Sequence, residues 1–446
     1  MNILTDISFD EYVELESTVF ESIEEVILEN ILKYSNSNFY DKIVDTIYEI
    51  FFDEWQGYEM VSEEDADEIH DMIDCMTEDF FDIFEEEYPK RSYICTTNTI
   101  SPLCSDDIIN FTEQIEKIRN YEQPKQRTPE WYEYRHNLIT ASSVYKILGS
   151  PALFNSFIYE KCKPLAMHTM NCFTKNARQW GNIYEPLTIK IYEERFHTKI
   201  EDFGCIRHPT YSFLGASPDG INVDSNSLRY GRMIEVKNIY NRDITGIPKE
   251  DYWIQMQIQM ETCNLNECDF IETRFKEYSN ETEFYEDETR DYKGIILCFI
   301  NKTNHSGEQI KPIYEYMPLD VPQDKKTVDI WVNDIRTMHR ETHTLYTTDY
   351  WYLDEFSCIL VKRNRNWFNS ALPKIEEAWK IIEIERVIGY EHRAAKKRTP
   401  KIMDLLIPNI YSEKIDNDEK TQIIHNLSVN SGSNVCLIKL DSVNNI

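Results

Sequence analysis

The residues best placed to do chemistry are an aspartate in a turn and a Glu-x-Lys pair on a strand. Asp219 sits in S-P-D-G, and Glu235 and Lys237 lie in M-I-E-V-K. Period-two alternation sends Glu235 and Lys237 to one face of that strand, and Ile234 and Val236 to the other. Between the two motifs, residues 222–232 (N-V-D-S-N-S-L-R-Y-G-R) are rich in turn formers, as a hairpin connection should be. A hairpin would set Asp219 beside Glu235, with Lys237 one pleat further along. Two carboxylates on adjacent strands, with the Val236 carbonyl as a further candidate ligand, suit a hard cation such as Mg²⁺ or Mn²⁺. A lysine beside such a cation can orient a water or stabilise charge developing on a phosphate. The chemistry implied is metal-assisted hydrolysis of a phosphodiester.

Other elements must hold this pair of strands. Residues 249–265 read as a helix, on which Gln255 and Gln259 share a face at i, i+4 while Gln257 lies off it. Met256, Ile258 and Met260 are core candidates there, and a buried glutamine is costly without a hydrogen-bond partner, so at least one should turn toward the site. Glu185 follows Trp180-Gly181 and opens L-T-I-K-I-Y; on its own it reads as an exposed first-turn glutamate. Upstream, Thr128 and Pro129 have the types of an N-cap and first helical residue, and that helix carries Arg135. Ser142, in T-A-S-S, marks the start of a further helix, where N–H groups and hydroxyls suit an anion.

In this order the motifs resemble the PD-(D/E)XK nuclease superfamily, and more closely its lambda exonuclease-like (YqaJ viral recombinase) branch, over about residues 127–300. Arg135 and Ser142 match the family's 5′-phosphate-binding residues. Glu185 matches its helical glutamate, Asp219 its metal-binding aspartate, and Glu235 and Lys237 its Glu-x-Lys pair. Y-W-I-Q-M-Q, with Gln255 and Gln257, matches its Y-x-x-Q-x-Q helix near the active site. Asn238 departs from the family, which often has Cys-Pro there. The resemblance implies a mixed α/β core, a central sheet flanked by helices, with Asp219, Glu235, Val236 and Glu185 around Mg²⁺ or Mn²⁺. It further implies a catalytic set of Glu185, Asp219, Glu235, Lys237, Gln255 and Gln257, and a 5′→3′ exonuclease on double-stranded DNA ends in viral recombination or repair. A single-strand annealing or recombinase partner and a ring-shaped homo-oligomer come with it. Two alternatives stay open: an endonuclease or repair nuclease of the same superfamily, and a non-catalytic DNA- or protein-binding module.

The chain has 446 residues, 41% of them hydrophobic and 13% aromatic, enough for more than one domain and a sizeable core. It shows no apolar run of membrane-spanning length and no signal-peptide pattern at its start. Its eleven scattered cysteines lack a C-x-x-C pair, which fits reduced thiols inside a cell; the resemblance implies that the compartment is the host cytoplasm, a viral factory or the nucleus. A net charge of −32 is unfavourable for binding phosphates, but residues 1–120 hold 32 Asp and Glu against 6 Lys and Arg. The acidity therefore belongs to one end. Four segments are expected: an acidic helical region (1–120), the nuclease core (121–320), a helical extension (321–411) and a flexible tail (412–446).

Overall fold

A computed structural model describes residues 7–94, 103–126, 128–165, 176–302 and 312–395. The tail expected at 412–446 lies outside these. Residues 1–394 make one compact unit; of the second, 395–446, only Ala395 is described.

Three acidic helices come first: α1 (Phe9–Glu29), α2 (Phe39–Gly57) and α3 (Ala66–Ile83). Their sequences repeat apolar residues every three or four positions, which gives each one buried stripe. Val19, Ile23 and Ile27 line α1, Ile43, Ile47 and Phe51 line α2, and Ile69, Ile73 and Phe80 line α3. The carboxylates are left mainly on the opposite faces. Ser8 caps α1 in a reciprocal capping box with Glu11. These helices do not stand apart. Tyr34, after α1, stacks on Trp253 (centroids 5.9 Å apart), and Trp253 meets Trp367 edge-on at 5.2 Å. The three aromatics join the acidic region, the central helix and the C-terminal helix in one core.

The chain continues through β1 (Tyr93–Ile94), α4 (Ser105–Arg119), α5 (Pro129–His136), β2 (Ile139–Thr140), α6 (Val144–Leu148), α7 (Pro151–Cys162) and α8 (Ala177–Phe196). Next come β3 (Ile200–Glu201), β4 (Ile206–Arg207), β5 (Leu214–Ala216), β6 (Gly220–Asn222), β7 (Met233–Asn238), α9 (Glu250–Cys263) and β8 (Glu267–Glu277). After these follow α10 (Glu281–Glu286), β9 (Lys293–Asn301), β10 (Ile313–Tyr316), α11 (Lys325–His339), β11 (His343–Lys362) and α12 (Arg365–Ile388). The main sheet runs β10-β9-β11-β8-β7-β6-β3, with β1 on β11, and a small sheet runs β2-β5-β4. The fold is mixed α/β: β7 and β8 are parallel, joined by the α9 crossover, while the other pairs of the main sheet are antiparallel. No helix among the described residues is long and apolar enough to cross a membrane.

One expectation needs correction. The segment after residue 320 is not simply helical, because His343–Lys362 forms a twenty-residue strand between β9 and β8. Its run T-L-Y-T-T-D-Y-W-Y-L is dense in β-branched and aromatic residues, which pack well on a pleated surface. The two neighbouring strands supply the hydrogen bonds that settle its conformation. The sheet therefore extends well past 320.

The two faces of β7 are covered differently. Ile234 and Val236 pack with Ile271 and Tyr192 beneath α8, whereas Glu235 bonds to α9. The hairpin loop before β7 is tied down by a buried ionic cluster. Arg229 and Arg232 both pair with Asp269 on β8, which also accepts from Tyr192 Oη at 2.6 Å.

Candidate active site

The hairpin register is the one read from the sequence. Gly220 pairs with Ile234 and Ile221 with Met233, which brings Asp219 opposite Glu235. Asp219 Oδ2 accepts the Val236 N–H at 2.7 Å. Glycine is required at 220 because a Cβ there would stand 2.2 Å from Ile200 Cγ2 on β3. The close approach of β3 holds the turn against the sheet.

Glu235 is fully buried, and three side chains hold its carboxylate. Oε1 accepts from Gln255 Nε2 (2.8 Å) and from Lys237 Nζ, and Oε2 accepts from Gln259 Nε2 (2.7 Å). Gln259 also donates to the Ser217 carbonyl at 3.2 Å, while its own Oε1 is buried without a hydrogen-bond partner among the described residues. A helix face with glutamines at i, i+4 thus grips the strand carboxylate from one side. Lys237 lies over the Tyr252 ring, 4.7 Å from its centroid. Burial works against its charge, but Glu235 and Asp219 hold the ammonium above its usual range.

Asp219 is pushed well above the usual carboxylate range, first by burial and then by Glu235, with a smaller contribution from Glu185; Lys237 opposes the shift. Glu185 on α8 is therefore electrostatically coupled to the same site. The excess of negative charge at Asp219 is what a bound cation would relieve. Among the described residues, no three His, Cys, Asp or Glu side chains already form a metal cage. The donor set fits a Mg²⁺-like ion that keeps several waters and binds through one or two carboxylates plus substrate phosphate.

Arg135, on α5, reaches this turn from outside. Thr128 caps α5, accepting from Trp131 N at 3.3 Å, and Pro129 is its first residue. The Arg135 guanidinium lies 4.7 Å from the Trp131 ring centroid and donates to Ser217 Oγ at 2.6 Å. Ser217 thereby links Arg135, through Gln259, to Glu235. Ser142 is exposed on a single 3₁₀ turn, Ala141–Ser143, packed near α9, and makes no side-chain hydrogen bond among the described residues.

Gln257 is a correction. Its amide donates to the Lys362 carbonyl (2.9 Å) and accepts the Asn364 N–H (2.7 Å). It bolts α9 to the junction of β11 and α12, away from Glu235, because two residues along a helix turn a side chain by about 200°. Gln259 takes the place expected for it, and the i, i+4 spacing from Gln255 was the available signal. Asn238 is also fully used: its Oδ1 accepts from Thr188 and Thr273 (2.7 Å each) and its amide donates to the Gly181 carbonyl (3.0 Å). It pins the end of β7 to the helix that carries Glu185.

Residues 130–266 match the YqaJ-like viral recombinase domain family. Over 372 residues the chain is 23% identical to an uncharacterized protein of Acanthamoeba polyphaga mimivirus, covering 76% of this chain; it spans 63% of that relative's length. Similar solved structures include an alkaline exonuclease from Laribacter hongkongensis, 18% identical with a TM-score of 0.34, covering 58% of this chain and 94% of that one. A phage-related exonuclease from Haemophilus somnus is 16% identical with a TM-score of 0.30, covering 55% and 94%.

Proposed function

With residues 130–266 forming a YqaJ-like viral recombinase domain, we propose that the protein is a metal-dependent DNA nuclease. Its preferred substrate is a double-stranded DNA end, degraded 5′→3′ in viral recombination or repair. The observation that carries this reading is Glu235 held on three sides by Lys237, Gln255 and Gln259, with Asp219 in register opposite it. Asp219 and Glu235, with the Val236 carbonyl and Glu185 in support, are the residues that would hold Mg²⁺ or Mn²⁺. When bound, such an ion supplies Lewis-acid polarisation of a phosphoryl oxygen and a more acidic water.

The chain's own residues do the rest. Gln255 and Gln259 fix the Glu235 carboxylate so that it does not reorganise during the reaction. Lys237 stays cationic beside the reacting phosphate and orients the attacking water. Arg135 grips a terminal 5′-phosphate, and its bond to Ser217 keeps that grip in register with Asp219. Ser142, on the neighbouring turn, completes the grip once an anion bridges the two. Gln257 takes no part in the chemistry. The single strand left behind passes to an annealing or recombinase partner inside the infected cell.

The test is cleavage of linear duplex with 5′-phosphate or 5′-hydroxyl ends, against closed circular DNA, in Mg²⁺, with Lys237→Ala as control. Degradation of phosphorylated linear duplex, lost in Lys237→Ala, is the expected result. Cutting of circles would turn the reading to an endonuclease. Binding without any cleavage, in Mg²⁺ or Mn²⁺, would leave a non-catalytic module.

A further inference from the structure

The four residues that end α5 and lead into β2 are each tied to one of two half-buried cations from elsewhere in the chain. Lys161, on α7, donates to the carbonyls of Arg135 (3.0 Å) and Leu138 (2.6 Å). Arg386, in the last turn of α12, donates to the carbonyl of His136 (3.1 Å) and to Asn137 Oδ1 (3.0 Å). The two cations are also joined to each other, since Arg386 Nε and Nη2 both donate to the Lys161 carbonyl (3.0 and 2.8 Å). Residues 135 to 138 are thus held as a unit by α7 and α12.

The electrostatics are unusual for so acidic a chain. Among the described residues, neither Lys161 nor Arg386 has a carboxylate within ion-pair distance. Backbone carbonyls at the end of α5 take that role, as helix C-termini can. Burial, followed by repulsion from Arg135 and Arg386, pushes Lys161 down to about 8. His136, between them, is pushed down to about 4 by burial and by the same cations. Three cations share one corner, and α12 lies beyond the residues matched by the family.

We propose that Lys161 and Arg386 are positioning residues for Arg135: they fix the turn from which it grips a terminal 5′-phosphate. This rests on the reading of Arg135 given above. The C-terminal helix is then part of end recognition. A guanidinium with four hydrogen bonds to two segments locks them in relative position, and misplacing a binding group by about 1 Å can cost up to about a hundredfold.

The experiment compares full-length wild type, Arg386→Ala, Arg386→Lys, Lys161→Met, Arg135→Ala and the Arg135→Ala/Arg386→Ala double variant. Each is assayed for cleavage of 5′-phosphorylated and 5′-hydroxyl linear duplex in Mg²⁺. The same duplexes are also bound without divalent ions and followed by fluorescence anisotropy, which carries the test even if no cleavage occurs. The expected result is a loss of phosphate preference of about tenfold in Arg386→Ala, falling on KM rather than kcat, with partial recovery in Arg386→Lys. In the Arg135→Ala background, Arg386→Ala should cost nothing more, because both act through one grip. Thermal melting identifies any variant that fails to fold, and Arg386→Lys and Lys161→Met then carry the comparison. Unchanged preference in folded variants, or losses that multiply in the double variant, would overturn the proposal and leave the nuclease reading standing. Cleavage by wild type that ignores the end group, with binding that ignores it too, would also overturn it. Phosphate-selective binding that depends on Arg386, without cleavage, would support it and remove the nuclease reading instead.

Discussion

Replacing Gln257 with alanine separates architecture from chemistry on a single helix. The side chain is 1% exposed and holds two backbone groups, the Lys362 carbonyl and the Asn364 N–H. Asn364 is itself fully buried and caps α12, accepting from Trp367 N at 2.8 Å. Each buried group left without a partner costs about 1–3 kcal/mol. A polar cavity of this size can admit a water that repairs part of the loss, so the lower half of the range applies: about 3 kcal/mol in all. For a folded unit of this size that is a fall in Tm of about 3–6 °C. Glu235, Gln255 and Gln259 keep their bonds, so single-turnover cleavage well below the melting temperature should stay within about threefold of wild type. Gln259→Ala should differ in cleavage, not in stability: it strips a donor from the Ser217 carbonyl and from the buried Glu235 carboxylate, so Tm falls at least as far, and cleavage falls by about a hundredfold as Glu235 loses one of its anchors. Calorimetry and a quench-flow cleavage assay on both variants decide the matter. If Gln257→Ala melts like wild type and cleaves poorly, the assignment of the two glutamines is wrong.

Three further outcomes follow from the same geometry. Burial and the neighbouring carboxylates make ionised Asp219 unfavourable, so Asp219→Asn should raise the metal-free Tm, abolish cleavage and erase any Mg²⁺-induced stabilisation in a thermal-shift assay. His136 titrates near 4 in the folded protein against an ordinary value of 6.5. The unfolded chain therefore binds the extra proton first, and stability from this group, full above pH 6.5, is lost as pH falls from 6.5 to about 4. NMR titration should place it there and show it rising in Arg386→Ala. Asn238→Ala removes the link between β7 and Gly181 and should cost about 2 kcal/mol in denaturant melts, with a fall in cleavage that Asn238→Asp does not restore, because a carboxylate cannot donate to the Gly181 carbonyl.

Much of the candidate site was legible in the sequence because it is local. Asp219 and the Glu-x-Lys strand flank one hairpin, and alternation with turn chemistry was enough to place them side by side. The spacing of Gln255 and Gln259 likewise announced a shared face. The errors came where chemistry depends on what lies across a helix or strand. Gln257 has the same side chain as its neighbours and was drawn into the catalytic set by motif, although its face of α9 meets β11. The long strand at 343–362 was missed because its partners, β8 and β9, are far away in sequence, and only their edges give it somewhere to pair.

By itself, then, the sequence determined the hairpin register, the helix faces, the acidic N-terminal region and the residue types for metal-assisted phosphodiester chemistry. All of these follow from short-range backbone periodicity and side-chain charge. Tertiary structure alone decided that Ser217 joins Arg135 to Gln259, that the acidic helices rest on Trp253, and that Lys161 and Arg386 clamp the Arg135 turn. Each of these contacts links segments from 23 to 250 residues apart. No local propensity encodes such a meeting; it exists only once the core has closed and buried polar groups must find whichever partners the packing brings within reach.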